Sequence, residues 1–324
     1  VTVVDDHTHR NATVDEFHGF PTRDATAPND FRTDALAELH SYDVAIVHSA
    51  VTSTQSTDSS VSMTLADGTT VHGNAVVLAT GVHDELPPIE GLSARWGKSV
   101  FNCPFCDGWE RRDQAVVVID AAPGADNLAI LLTSWTPHVT VVAAADVVAF
   151  TSGGATTLSG VMLRDGSVIK ATAAFVKAPV VPRSSTAQAL GCVVDVDGYI
   201  VTNETGATSH PLVWAAGDVR RPPPMPHQVM LAAADGSTAA IDIHKAFVAQ
   251  TIGSGRPRVR RLSSAPPAQS CPHHHRVARR SGQQLCPVGR CASANRHTGR
   301  CPYCSPVEPL WSTGTRRCIR IGRF

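Results

Sequence analysis

No apolar run in this 324-residue chain approaches the roughly 20 residues that a membrane-crossing helix needs; Ala75 to Ala79 and Ala115 to Ile119 are typical of its longest. That excludes a membrane-spanning helix. Charged residues are scarce at 17% and aromatic ones at 5%, and there are only 4 Met. The front carries no Met, no basic stretch and no apolar leader, so no secretory or transit peptide is read there and a cytoplasmic protein is expected. Val1 to Asp6 begins inside what reads as a strand, so the chain reads as cut at its front. Cysteine is sparse before Ile252: Cys103, Cys106 and Cys192. That count, two of the three in a Cys-x-x-Cys, fits a cytosolic redox protein better than a secreted disulfide scaffold. What is present, 43% hydrophobic residues with 24 Gly and 22 Pro, supports a packed core and a length of two domains.

The formal net charge is +0, but it is unevenly spread. Residues 1–252 are strongly acidic, whereas residues 253–324 have many Arg, no Lys, no Asp and a single acidic residue, Glu308. The last segment also holds Cys271, Cys286, Cys291, Cys301, Cys304 and Cys318, and it shows neither helical nor strand periodicity. Three readings stand for it: out-of-frame or otherwise non-native sequence, a disordered basic tail, or a zinc module. Cys301-x-x-Cys304 supplies half a zinc site, but Cys286 and Cys291, with four residues between them, match the other half poorly. A nucleic-acid partner is disfavoured.

Along residues 1–252, the pattern predicts a strand at 1–4, a helix over 30–40 capped by Asn29 or Asp30, and a strand over 43–51. The Ser-rich run 52–60 reads as a flexible loop. Apolar runs at 61–65 and 71–78 flank Asp67-Gly68, a hairpin signal that recurs at Asp165-Gly166. Between the hairpins, strand 115–119, helix 126–135 and strand 139–143 form a βαβ unit. Short strands at 199–201 and 212–215 and a helix over 228–248 follow. Two similar α/β domains are implied.

The most specific segment is Phe101-Asn-Cys-Pro-Phe-Cys-Asp-Gly-Trp-Glu110. Two residues between Cys103 and Cys106 let the thiols close a small disulfide ring, and Pro104 suits a first helical position. A helix start favours the thiolate, and Asp107 can carry a proton to or from it. Half a zinc site or two unrelated core thiols are the other readings, although no second pair occurs before residue 253. Cys192 reads as a small buried hydrophobe.

This segment resembles the active-site segment of the low-molecular-weight thioredoxin reductases and their flavin-dependent disulfide oxidoreductase relatives. Three further stretches resemble the family in the same order: Val76-Val-Leu-Ala-Thr80-Gly81 with Pro87-Pro-Ile-Glu-Gly91, then Val213-Trp-Ala-Ala-Gly217-Asp218, then His227-Gln228-Val229 with Ala232-Ala-Ala-Asp-Gly236. The resemblance implies an α/β fold of two Rossmann-like three-layer dinucleotide-binding domains, the second inserted into the first. It implies FAD-domain segments at 1–92 and 209–252 around an NAD(P)-binding-like domain at 93–208, with flexible joints near 91–97 and 209–212. It also implies electrons passing from NAD(P)H through FAD to the Cys103–Cys106 disulfide, and on to a thioredoxin-like protein or a small dithiol or disulfide substrate. Cys106 would then face the flavin, Cys103 attack the substrate and Asp107 act as the acid. Cofactor contacts would come from Asp5 or Asp6, Thr80, Gly81, Gly217, Asp218, Gln228 and Val229. A homodimer is implied, and no metal.

Two departures from the family pattern are legible. Its first strand and Gly-x-Gly-x-x-Gly turn would precede Val1 and are missing from this sequence, which bears on FAD affinity and folding. In the second dinucleotide turn, Asp120 and Ala122 replace glycines, placing a charge and a Cβ where a pyrophosphate would lie; nicotinamide binding is expected to be weak or lost. The alternatives are therefore a nicotinamide-independent dithiol oxidase using oxygen, and an inactive remnant or basic-tailed binding protein. Asp146 reads first as a turn residue and second as a ribose contact. Arg10-Asn11 and His18-Gly-Phe20 fall where family members approach the flavin, although chemically they are ordinary loop residues. Arg220-Arg-Pro-Pro-Pro224 reads as a stiff polar loop.

Overall fold

The computed structural model describes residues 1–151 and 154–253. The basic segment after Gly253, with its zinc, disorder and reading-frame alternatives, lies outside the described residues. In chain order the elements are β1 (Thr2–Asp5), α1 (Pro28–Ser41), β2 (Ala45–His48), β3 (Val51–Ser56), β4 (Val61–Leu65), β5 (Thr70–Gly73), β6 (Val76–Leu78) and β7 (Val82–Asp84). Next come α2 (Leu92–Arg95), β8 (Val100–Phe101), α3 (Pro104–Asp107), β9 (Val116–Asp120), α4 (Ala125–Leu132) and β10 (Val139–Ala143). They are followed by β11 (Val147–Thr151), β12 (Gly160–Leu163), β13 (Val168–Lys170), β14 (Ala173–Lys177), β15 (Val180–Pro182), α5 (Ser185–Ala189), β16 (Val213–Ala215) and α6 (Val229–Gly253).

The best-built core is a parallel sheet of order β10-β9-β14-β8. Val116 to Ile119 are all buried, because a parallel strand covered on both faces carries a continuous apolar run. Their alternation still decides which layer each meets. Val116 and Val118 pack with Phe101, Phe175, Leu128 and Leu132 beneath α4. Val117 and Ile119 pack with Val147, Phe150 and Val161 on the antiparallel sheet β11-β12-β13. Helix, sheet and meander thus form three layers.

The flanking segments repeat the theme with shorter strands. β1 pairs with β2 and β6 with β16, each in parallel, and β3-β4-β5 forms an antiparallel meander. Val61, Leu78, Leu190, Val213, Ala215 and Val219 pack there around Cys192, which is buried as expected and outside any disulfide. β1 and β6 belong to separate two-stranded sheets, yet both line one large cavity.

Several local expectations are corrected. Helix α1 starts at Pro28, with Ala27 at the cap and no side-chain cap, because proline needs no N–H partner at the first position. The strand expected over 43–51 breaks in two between His48 and Val51, and the supposed loop 52–60 supplies β3. Its Ser and Thr residues alternate on an edge strand paired to β4, which needs backbone hydrogen bonds rather than an apolar face. Run 71–78 divides at Asn74 and Ala75, and 199–201 makes only an isolated bridge from Ile200 to Val194. Asp146 closes a short 3-10 turn whose carbonyl accepts the Arg164 N–H, as its turn reading required.

Phe175 is fully buried between Phe101 and the α4 face. Phe175→Ala is expected to lower unfolding free energy by about 3–5 kcal/mol in urea denaturation; a loss under about 1 kcal/mol would contradict this core.

Candidate functional site

Cys103 and Cys106 form a disulfide, with Cα atoms 5.3 Å apart. Cys103 caps α3, Pro104 takes its first position, and the Cys106 and Asp107 N–H groups both donate to the Cys103 carbonyl. Gly108 is required by space: a Cβ there would come within 2.4 Å of the Pro104 carbonyl oxygen and 2.9 Å of Trp135. The turn can therefore close under Trp135 while Phe105 and Trp109, 63% and 62% exposed, stand out beside the disulfide. Burial pushes the Asp107 carboxyl up to about 7, reinforced by Glu110 and opposed by Arg111 and His18.

Both cysteines and Asp107 line a cavity of about 1970 Å³, larger than the roughly 300–1,000 Å³ of a pocket for one small ligand. Asp5, Asp6, Thr80, Gly81, Gly217, Asp218, Gln228 and Val229 line it too, so the redox, acid and FAD-contact candidates meet in one place, while Asp146, read second as a ribose contact, is not among its lining residues. Gly217 has φ +74°, and an added Cβ would lie 3.2 Å from Ala232, so glycine lets the Ala216–Asp218 loop rest on the first turn of α6. The Thr80 hydroxyl donates to the Arg183 carbonyl, and the Arg183 N–H to the Gly81 carbonyl. Burial opposes ionisation of Asp5, but the His7 N–H and the Arg32 guanidinium overcome it and hold the carboxyl below its ordinary range. The Thr8 hydroxyl does the same for Asp6 against its burial.

A set of polar residues ties this cavity together, and of these only Arg10 had been placed near a flavin from the sequence. Arg10 forms a two-pronged pair with Asp84, Nε to Oδ2 at 2.8 Å and Nη2 to Oδ1 at 2.6 Å, and lies 3.6 Å from Asp218. Asn102, directly before Cys103, donates to the same Asp84 Oδ1 at 3.1 Å. Arg10 Nη1 lies 3.0 Å from His227 Nδ1, and His227 Nε2 lies 2.8 Å from the Arg221 carbonyl. Since guanidinium only donates and carbonyl only accepts, these partners assign Nδ1 as acceptor and Nε2–H as donor. Asp235 on α6 accepts from Arg221 and from the Gly217 N–H, and pairs with Arg220. Arg220-Arg221 is thus a clamp on the Gly217 loop, where a stiff polar loop was expected. Asp235 four residues before Ala239 in an alanine-rich helix was the available signal: those two are buried, and a carboxylate on a buried helical face requires cations.

The cavity lining fits FAD in kind: a carboxylate acceptor at Asp6 beside the Arg32-paired Asp5, open space over the Gly81 backbone, and a helix start at Val229. The other dinucleotide turn fits poorly. Asp120 ends β9, exposed, in register with Ala143 and Lys177, and puts a carboxylate where the turn leading to α4 would receive a pyrophosphate. Asp5, His7 and His48 bring ligand-type atoms within 4.8 Å of one another, but Arg32 already pairs with Asp5. Among the described residues no helix is long and apolar enough to cross a membrane.

A carboxyl titrating near 7 in the fold, against 3.8 ordinarily, keeps a proton that the unfolded chain releases. Stability therefore falls as pH rises between about 4 and 7. Asp107→Asn should leave the urea midpoint unchanged at pH 4 and stabilise the protein at pH 8 by on the order of 4 kcal/mol. Equal midpoints at pH 8 would refute the buried environment of Asp107.

A family model described as pyridine nucleotide-disulphide oxidoreductase matches residues 15–154 and 145–236. Thioredoxin reductase sirT of Leptosphaeria maculans is 35% identical over 114 residues, covering 34% of this chain and 35% of that protein. The bifunctional thioredoxin reductase/thioredoxin of Mycobacterium leprae is 32% identical over 227 residues, 60% of this chain and 48% of that one. The chain thus spans about a third to a half of the length of these curated relatives. The crystal structure of HlmI superposes with a TM-score of 0.73 at 31% identity, covering 78% of this chain and 86% of that one. A putative thioredoxin reductase TrxB from Bacillus anthracis gives 0.71 at 25%, covering 77% and 90%. The architecture is accordingly the two-domain, Rossmann-type α/β fold of these flavoprotein-like neighbours. With most of its described residues inside the family match, this chain belongs to the pyridine nucleotide-disulphide oxidoreductase family and is thioredoxin reductase-like.

Proposed function

We propose that the chain is an FAD-dependent dithiol/disulfide oxidoreductase, and the observation that carries this is the Cys103–Cys106 disulfide opening into the cavity that fits the cofactor. Asp5 and Asp6 would hold the adenosine end, Thr80, Gly81, Gly217 and Asp218 the middle, and Gln228 and Val229 the flavin ring. Bound there, FAD supplies two-electron chemistry. Residues 1–92 and 209–252 form the flavin part in this reading, with 93–208 inserted between them.

Cys103 is the sulfur that exchanges with substrate, Cys106 its resolving partner facing the cavity, and Asp107 the acid that protonates the departing thiolate. Burial supports that last role, because it keeps Asp107 protonated near neutral pH. Exposed Phe105 and Trp109 beside the disulfide offer an apolar landing surface. A thioredoxin-like protein or a small disulfide would use it, the former in keeping with the joint name of the Mycobacterium leprae relative. Asp120 and Ala122 favour the second reading, a dithiol oxidase that uses oxygen and needs no nicotinamide.

With FAD supplied, the protein is expected to turn over a dithiol in an oxygen electrode, or NADPH or NADH against a disulfide. Cys106→Ser should lower either rate at least a hundredfold and Cys192→Ser should leave it within about twofold. Equal turnover by Cys106→Ser and the parent protein would remove the assignment.

A further inference from the structure

Asp107 has three charged neighbours, Arg111, Glu110 and His18, and the exchange chemistry uses none of them. Glu110 follows it by three residues in the 3-10 turn Trp109–Arg111, which puts the two carboxyl groups on one face of the helical segment. Glu110 Oε2 is buried with no hydrogen-bond partner, and a buried carboxylate oxygen without one calls for a proton or a cation. The other oxygen, Oε1, lies 3.7 Å from His18 Nε2. His18 sits on the loop closed by the Phe17–Thr26 bridge, with its side chain 16% exposed. Its ring is also 3.7 Å from Glu16 Oε1 and 3.2 Å from Asp24 Oδ1. One imidazole therefore stands among three carboxylates, with Glu110 toward the disulfide turn and Asp24 toward solvent. Arg111, stacked 4.9 Å over Phe101, is the remaining charge acting on Asp107.

We propose that Glu110 and His18 are positioning residues completing the acid centre: Glu110 holds the proton on Asp107, and His18, set 3.7 Å from Glu110 Oε1, tempers that hold. The proposal rests on Asp107 being the acid. Glu110 is negative and favours the protonated Asp107, while a protonated His18 favours the ionised one, so the two pull in opposite directions.

Reduction of the disulfide by dithiothreitol isolates the step without any cofactor. A reagent thiolate bonds to Cys103 Sγ, the S–S bond breaks, and its electron pair goes to Cys106 Sγ, which takes the Asp107 proton. The reagent's second thiolate then displaces Cys103, which takes a proton from solvent. The reagent leaves oxidised as its cyclic disulfide, and Asp107 takes a proton back from solvent.

The experiment is the pH profile of this reduction on the full chain, expressed per reagent thiolate and read by alkylation and mass analysis of the peptide containing Cys103 and Cys106. The rate should fall as Asp107 loses its proton. Glu110→Gln should move that falling limb down by about one pH unit, roughly tenfold in rate just above it, and His18→Gln should move it up. Glu110→Asp keeps the charge and should restore the parent profile. Shifts in the same direction, or no shift in either variant, overturn the proposal. A limb that persists in Asp107→Asn overturns instead the reading of Asp107 as the acid, so the two failures are distinguishable.

Discussion

The arrangement depends on one buried charge pair. Arg10 and Asp84 are joined by two hydrogen bonds, and Asp84 is almost fully enclosed. Burial opposes charge on Arg10, but Asp84 more than compensates and raises its pKa above the ordinary value. Removing one member of such a pair leaves the other uncompensated, which typically costs about 3–5 kcal/mol. Through this pair the loop after β1 is tied to β7, to Asn102 before the disulfide, and to Asp218 and His227 across the cavity. The short parallel pairs β1-β2 and β6-β16 have little area of their own to fix that geometry.

Stability and chemistry are divided between different parts of the molecule. The sheet β10-β9-β14-β8 is apolar on both faces and provides a rigid base, with β8 leading directly into the cysteine turn. The cavity rim is polar and held by the ion pairs of Asp235 with Arg220 and Arg221 and of Arg10 with Asp84, and by the hydrogen bond that Arg183 donates to the Thr8 hydroxyl. Between the two lies Asp107, buried enough to keep its proton yet lining the cavity. A rigid apolar base under a charged rim is what a site needs if a sulfur, a proton and a cofactor are to meet in fixed register.

Much of this was legible in the sequence because the signals were local. The β-branched run at 115–119, the Asp-Gly turns and the Cys-Pro-Phe-Cys spacing each determine structure over a few residues. The site candidates gathered in one cavity because most sit at the end of a strand or the start of a helix, and Cys103, Cys106 and Asp107 share one short turn. What escaped was long-range. Arg10 and Asp84 are 74 residues apart, Arg183 and Thr8 are 175 apart, and nothing local marks a buried partner at that distance. The strand β3 escaped for another reason: its Ser and Thr residues have no apolar face to announce an edge strand.

The central claim is that this cavity holds FAD beside the Cys103–Cys106 disulfide. The direct measurement is the visible absorption spectrum of the purified, desalted full-length chain after incubation with FAD. An oxidised-flavin band that stays with the protein, and that Gly217→Val removes by placing a side chain against Ala232, is the predicted result. A folded but colourless protein would contradict the account.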